Sequence, residues 1–65
     1  MMILVNDETK IIKNHSLADA LIELGYGETK VATALDGQFV PRSARASRIL
    51  SEGCRLEILA PMQGG

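Results

Sequence analysis

The two glycines that end the sequence, Gly64 and Gly65, are the residues whose type and position best suit chemistry. A C-terminal carboxylate has a pKa of roughly 3.3–3.7, so at neutral pH it is an anion and a poor electrophile. Its conversion to an acyl-adenylate, and then to a thiocarboxylate or an amide, requires insertion into the ATP site of another enzyme. Because glycine has no Cβ, a Gly-Gly end fits a channel too narrow for other residues. We therefore expect a partner enzyme to activate the carboxylate of Gly65.

The residues before the glycines are expected to belong to a flexible tail, residues 60–65, that follows a folded domain of residues 1–59. Six residues span at most about 20 Å, which is enough to carry the carboxylate into a partner's catalytic pocket. Pro61 favours an extended start of the tail, and it also serves as a terminator of the preceding strand. Met62 offers a flexible apolar contact, either to the channel or back to the domain. We predict that Pro61, Met62 and Gln63 contact the partner.

Other reactive side chains lack the neighbours that catalysis requires. His15 is the only histidine, and no cluster with metal-ligand spacing accompanies it. Cys54 is the only cysteine, so we interpret it as a structural thiol and, less favourably, as a persulfide carrier. Ser43 and Ser47 have no associated base. The sequence therefore predicts no metal site, no intrinsic cofactor and no enzymatic activity.

Length and composition describe one small folded domain. The chain has 65 residues, of which 46% are hydrophobic, and a net charge of −1. A single cysteine excludes a cystine scaffold and fits a reducing cytosol. The apolar start is too short for a signal peptide, and no run is long enough to span a membrane. We expect a cytoplasmic protein without a membrane segment.

Basic residues are unevenly distributed. Four arginines lie in the second part of the chain: Arg42, Arg45, Arg48 and Arg55. A nucleic-acid surface would combine such a patch with aromatic residues for base stacking, but Tyr26 and Phe39 are the only aromatic residues. We therefore expect no nucleic-acid partner. The arginines are interpreted as a solvated face or as a docking face for an acidic partner, and the sequence does not decide which applies to Arg42.

Hydrophobic spacing predicts five strands and one helix. The strands are expected at residues 2–5, 9–12, 31–35, 38–40 and 55–59, and residues 43–50 as a short helix or 3₁₀ turn with Ala46, Ile49 and Leu50 facing inward. The main helix begins after Ser16, a favourable N-cap, and ends at Gly25, which suits a left-handed C-cap. Asn6-Asp7 and Asp36-Gly37 are typical of tight hairpin turns.

This order of elements predicts an α+β fold of the β-grasp, or ubiquitin-like, type. A hairpin is followed by a helix that crosses the sheet, and the remaining strands complete the sheet. We expect a mixed sheet of four to five strands packed on one helix. The first and last strands should be parallel neighbours at its centre, which suits the unbroken apolar run at residues 2–5.

The chain resembles the ThiS family, the sulfur carriers of thiamin biosynthesis, over essentially its whole length. The resemblance rests on the short length, the segment Asp36-Gly37-Gln38-Phe39-Val40-Pro41-Arg42, the Gly53 turn and the final Gly64-Gly65. The related molybdopterin carrier MoaD shares the tail but is usually longer and lacks this segment. Cys54 departs from the family pattern, in which an acidic residue is common after the glycine. A glycine also often follows the asparagine of the Asn6-Asp7-Glu8 turn in relatives.

The resemblance implies a protein cosubstrate that acts with three partners. A ThiF-like adenylating enzyme would activate Gly65 with ATP and Mg²⁺, both of which belong to the partner. A sulfur donor supplied by a cysteine desulfurase persulfide would then form the thiocarboxylate. A ThiG-like thiazole synthase would receive the sulfur. The free carrier is expected to be a monomer.

Other functions are also compatible with the sequence. A carrier of the same type could serve molybdopterin synthesis, tRNA thiolation or ubiquitin-like conjugation. A non-covalent ubiquitin-like interaction module, or an RNA-binding variant of it, would have an inert tail. Two terminal glycines occur by chance in roughly one chain in two hundred, so the doublet alone does not decide.

Overall fold

The computed structural model describes residues 1–27 and 29–60. In this part of the chain, the elements are β1 (Met2–Val5), β2 (Glu8–Ile11), α1 (Leu17–Glu23), β3 (Ala32–Leu35), β4 (Gln38–Val40), a 3₁₀ turn (Arg42–Ala44) and β5 (Arg55–Leu59). The predicted order is confirmed. The structure places β2 one residue earlier than predicted, and β3 begins one residue later than predicted.

The five strands form one mixed sheet in the order β2-β1-β5-β3-β4. The central pair, β1 and β5, is parallel, whereas the β1–β2, β3–β5 and β3–β4 pairs are antiparallel. The first and last strands are therefore neighbours at the centre, as the sequence predicted. A sheet of this topology with one helix on one face is a β-grasp fold.

The core lies between the sheet and α1 and is built from aliphatic side chains. Ile3 and Leu56 on the central strands and Leu17 on α1 are completely buried. Because strand residues alternate between the two faces, the neighbours of Leu56 on β5 point away from the helix. Burial of each large aliphatic side chain contributes about 1.5–3 kcal/mol, which compensates for the near absence of aromatic residues.

Both predicted ends of α1 are confirmed. The Ser16 side chain accepts a hydrogen bond from the backbone N–H of Asp19 at 3.1 Å, which satisfies one of the free donors of the first turn. Gly25 follows the helix with a φ of +96°, a left-handed conformation that glycine adopts without steric cost. The helix is thus fixed on the sheet at a defined length.

The segment of residues 41–50 differs from the prediction. Only its first part forms a 3₁₀ turn, and Ala46 and Ile49, which were expected to face inward, are exposed, while Leu50 is buried. The reason is long-range pairing: the segment hydrogen-bonds through its backbone to the start of α1. The N–H of Leu17 donates to the carbonyl of Arg48 at 2.8 Å, and the N–H of Leu50 donates to the carbonyl of His15 at 2.7 Å.

Candidate functional site at the exit of the last strand

The predicted site residues all lie beyond β5. Pro61, Met62, Gln63, Gly64 and Gly65 lie outside the described residues. The structure shows the base from which they continue, which is β5 and the exposed Ala60 that follows it.

β5 is a central strand, and its two neighbours pair with different parts of it. β3 runs along it to its last residue, with Leu59 opposite Ala32. On the other side, the parallel register with β1 ends earlier, at the pair Val5 and Leu56. Beyond Leu56 the chain of β1 turns away toward β2, so the backbone of the last residues of β5 needs another partner on this side.

The Asn6 side chain provides that partner. Its Oδ1 atom accepts a hydrogen bond from the N–H of Ile58 at 2.8 Å, and its Nδ2 atom donates to the carbonyl of Ile58 at 3.1 Å. The backbone N–H of Asn6 donates to the carbonyl of Leu56 at 2.9 Å. The sequence predicted Asn6 as a turn residue and missed this pairing. A possible signal was the residue type, because asparagine adopts the left-handed backbone conformation more readily than most residues.

The entrance of β5 is held by a second turn residue, Asp36. The Oδ1 atom of Asp36 accepts a hydrogen bond from the N–H of Arg55 at 2.9 Å, and the N–H of Asp36 donates to the carbonyl of Arg55 at 2.8 Å. Gly53 precedes the strand with a φ of +79°, which confirms the predicted turn. Both ends of β5 are thus attached to hairpin turns.

Large apolar side chains are exposed on the face of the sheet opposite α1. Phe39 is 68% exposed and Leu59 is 67% exposed. Their cross-strand partners on β3, Ala34 and Ala32, are too small to cover them. We call this group of four residues the outer patch. Phe39 lies on β4, an edge strand of the sheet.

The outer patch reaches the exit of β5 through an open groove. The groove has a volume of about 320 Å³ and is lined by Lys30, Val31, Ala32, Leu59 and Ala60. Its surface is almost entirely apolar. The exit of β5 therefore lies next to an apolar surface.

The arginines divide into structural and exposed residues. Arg45 donates from Nε to the buried Thr33 hydroxyl at 3.2 Å and from Nη2 to the carbonyl of Val31, and Thr33 in turn donates to the carbonyl of Val40 at 3.0 Å. Arg45 therefore joins the 41–50 segment to β3 and is not a free cation. Arg42 is exposed at the 3₁₀ turn and stays available to solvent.

The remaining reactive groups are separated from one another. Cys54 is a free thiol with 5% exposure at the entrance of β5, which agrees with the predicted structural role, and His15 is exposed before α1. Within residues 1–27 and 29–60, no group of three His, Cys, Asp or Glu side chains is placed to hold a metal ion. In the same residues, no helix has the length and apolar character to span a membrane.

Glu23 at the end of α1 holds the β2–α1 connection. Its carboxylate accepts hydrogen bonds from the backbone N–H of Asn14 at 3.0 Å and of Lys13 at 2.9 Å, and from the Asn14 side chain at 2.9 Å. These bonds favour the ionised form, so the two backbone donors, Asn14 first and Lys13 second, lower the pKa of Glu23. The bonds fix the end of the helix opposite to Ser16.

The architecture and the tail base define a small β-grasp protein with a C-terminal segment that leaves a central strand. A family model confirms the predicted resemblance: it matches residues 2–65, and the chain belongs to the ThiS family. This membership supports a role as a sulfur carrier in thiamin biosynthesis. No curated protein matches the chain.

Two solved structures have the same fold. The crystal structure of a thiamine biosynthesis protein (ThiS) from Geobacter metallireducens has a TM-score of 0.84 and 23% sequence identity, with complete coverage of both chains. The solution structure of a thiamine biosynthesis protein from the same organism has a TM-score of 0.78 and 23% identity, and it covers 100% of this chain and 88% of that chain. At this level of identity the similarity establishes the β-grasp fold.

Proposed function

We propose that the chain is a sulfur carrier whose Gly65 carboxylate is adenylated, converted to a thiocarboxylate and used for thiamin thiazole synthesis. The observation that carries this proposal is the ThiS family match, because it extends over residues 2–65 and thus includes the Gly64-Gly65 end. The protein is a cosubstrate in this scheme. ATP and Mg²⁺ are bound by the adenylating partner and not by the carrier.

The proposed conversion of the Gly65 carboxylate to a thiocarboxylate has three steps. An oxygen of the Gly65 carboxylate attacks the α-phosphorus of ATP, which forms an acyl-adenylate and releases pyrophosphate. A persulfide, derived from a cysteine desulfurase, then attacks the acyl carbon and displaces AMP. A thiol then attacks the donor's cysteine sulfur in the resulting acyl disulfide, which releases the thiocarboxylate and joins the thiol and the donor cysteine as a disulfide. The ThiG-like synthase finally accepts the terminal sulfur.

The outer patch is the proposed docking surface for the ThiF-like enzyme. Leu59 lies at the exit of β5, and Phe39 lies two strands away on the same face of the sheet. Both side chains are exposed, and aromatic residues contribute strongly at the centre of protein interfaces. A partner that covers this patch has its pocket within reach of the tail, since six residues extend about 20 Å. The arginine-rich segment is less suited, because Arg45 is already bonded to Thr33 and Val31.

The proposal places the carrier in the cytoplasm as a monomer. Reducing conditions there keep Cys54 as a thiol, in agreement with its free and buried state. A monomer leaves the outer patch accessible to one partner after another.

The first test is the intact mass of the protein after incubation with ATP, Mg²⁺, a ThiF-like enzyme and a sulfur donor. We expect a gain equal to the replacement of one oxygen by one sulfur, located in the C-terminal peptide. The matched control is the same chain extended by one alanine after Gly65, which should fold normally and show no gain. An unmodified wild-type chain, with an adenylating enzyme that is active on its own carrier, would contradict the proposal.

A second test addresses the docking surface. Phe39→Ala combined with Leu59→Ala should raise the KM for the adenylating enzyme about tenfold or more, because interface anchors of this type contribute at least about 1–2 kcal/mol. Ile11→Ala is the matched control: Ile11 is 74% exposed and lies on the same face of the sheet at the far edge strand β2. An equal increase of KM in the control would place the docking surface elsewhere.

The acceptor pathway is tested with the thiocarboxylate form itself. This form should supply sulfur to a ThiG-like thiazole synthase. Transfer to a molybdopterin synthase partner, without transfer to the thiazole synthase, would assign the carrier to the other pathway.

A further inference from the structure

We infer that Asn6 is a positioning residue that fixes where, and in which direction, the C-terminal segment leaves the domain. This inference rests on the proposed function, since it concerns the presentation of Gly65 to the adenylating enzyme. It is carried by the two hydrogen bonds of the Asn6 side chain to the backbone of Ile58.

These two bonds continue the hydrogen-bond pattern of the parallel β1–β5 pair. In a parallel ladder, one residue of a strand donates to and accepts from the neighbouring strand at regular intervals. Asn6 continues the β1–β5 pairing with its backbone N–H, which donates to Leu56, and then with its side-chain amide, which binds both polar groups of Ile58. The side-chain amide has the donor and acceptor of a peptide group. It therefore supplies Ile58 with the acceptor and the donor that β1 no longer offers, because the chain turns.

The backbone of Asn6 explains why the side chain reaches β5. Its φ of +50° and the φ of +69° at Asp7 place both central residues of the turn in the left-handed region. Asparagine is one of the few residues other than glycine that adopt this region readily. The turn sends the backbone away to β2 while the side-chain amide stays in the plane of the sheet.

The Asn6 hydrogen bonds affect the start of the tail. Ile58 is the second-last residue of β5, and only Leu59 lies between it and the exposed Ala60. Without the Asn6 amide, the N–H and the carbonyl of Ile58 lose their partners, and the end of the strand is held by β3 alone, so it separates more often from the sheet. A frayed end adds residues to the free segment and broadens the direction in which it leaves. The partner must then order more residues when it binds the carboxylate.

The test compares two glycine substitutions in the same turn. Asn6→Gly removes only the amide, because glycine tolerates the left-handed backbone, and Asp7→Gly is the matched control that leaves the Asn6 amide in place. Hydrogen exchange of the Ile58 amide should be on the order of tenfold faster in Asn6→Gly than in Asp7→Gly. The Arg55 amide, which Asp36 holds, should exchange equally in both variants. Equal exchange at Ile58 would overturn the inference whatever the activity of the variants.

The kinetic arm tests the consequence for activation. With a ThiF-like enzyme, Asn6→Gly should lower kcat/KM for pyrophosphate release about tenfold, while its Kd for the enzyme without ATP stays unchanged. Asn6→Asp keeps the acceptor for the Ile58 N–H and loses the donor, so its kcat/KM should be intermediate. Wild-type kcat/KM in Asn6→Gly, or an equal loss in Asp7→Gly, would overturn the positioning role. A wild-type chain that is never activated would refute the proposed function, whereas faster exchange at Ile58 would still establish that Asn6 holds the strand.

Discussion

The two hairpin turns of the sheet attach β5 in different ways. Asp36 holds the entrance of the strand with one side-chain and one backbone hydrogen bond to Arg55. Asn6 holds the exit with a side-chain amide that binds both polar groups of Ile58. The entrance is already fixed by Gly53 and the buried Cys54, whereas the exit continues into the tail. The neutral amide, which both donates and accepts, therefore lies at the end of β5 where backbone pairing with β1 has ended.

The largest effect is expected from removing each side chain. Asn6→Ala should lower the free energy of unfolding by about 2–3 kcal/mol, because two hydrogen bonds are lost and alanine is strained in the left-handed region. Asp36 has a φ of +48°, so alanine is strained there as well, but only one side-chain bond is lost, and Asp36→Ala should lower the free energy of unfolding by about 1–2 kcal/mol. Chemical denaturation of both variants measures the difference. A larger loss in Asp36→Ala would reverse the comparison between the turns.

Smaller changes in stability are expected from substitutions of the second residue of each turn. Gly37 has a φ of +84°, so Gly37→Ala should lower the free energy of unfolding by about 1 kcal/mol. Asp7→Gly should instead raise it by about 0.5 kcal/mol, because glycine relieves the left-handed strain at this position. The Asp7 contact to Arg55 at 3.4 Å is exposed and contributes little to stability. Thermal unfolding should therefore shift in opposite directions, and shifts of the same sign would contradict this account.

The smallest effect on stability is expected from the charge of Glu23. Unlike the neutral amide of Asn6, the Glu23 side chain accepts its hydrogen bonds as a carboxylate. The pKa of Glu23 lies below its ordinary value of 4.5 in the folded chain. Its stabilising contribution is therefore complete above the unfolded pKa and is lost as the pH falls through the lowered folded value. Denaturation of the wild type and Glu23→Gln at neutral and acidic pH should give curves that converge on acidification. Curves that stay parallel would show that the Glu23 bonds do not depend on its charge.

The sequence predicted the structural features that depend on residues close together in the chain. Asp36-Gly37 predicted a hairpin from residue type alone, and the alternation in residues 55–59 predicted the faces of β5. The pairing of Asn6 with Ile58 was missed, because it joins residues 52 positions apart and depends on the register of two parallel strands. The exposure of Ile49 was missed for the same reason, since backbone bonds between the 41–50 segment and α1 decide its orientation.

In the candidate site, too, the sequence predicted local features and missed those that depend on long-range contacts. Gly64 and Gly65 were predicted as the reactive end from their type and position, and this stays a prediction because both lie outside the described residues. The base of the tail became visible only in three dimensions. Exposed side chains such as Phe39 and Leu59 could not be distinguished from core residues by hydrophobicity, because the sheet has one covered and one open face.

Because Cys54 is buried, it can serve as an internal standard when the sulfur loaded on the carrier is measured by alkylation. Cys54 is the only cysteine of the chain and is 5% exposed, so alkylating reagents should reach it slowly in the native state. Under native conditions, rapid alkylation therefore reports sulfur acquired after synthesis. Under denaturing conditions, Cys54 adds one label per molecule and serves as an internal standard. The ratio of the two labels gives the loaded fraction of the carrier without an isotope or an antibody.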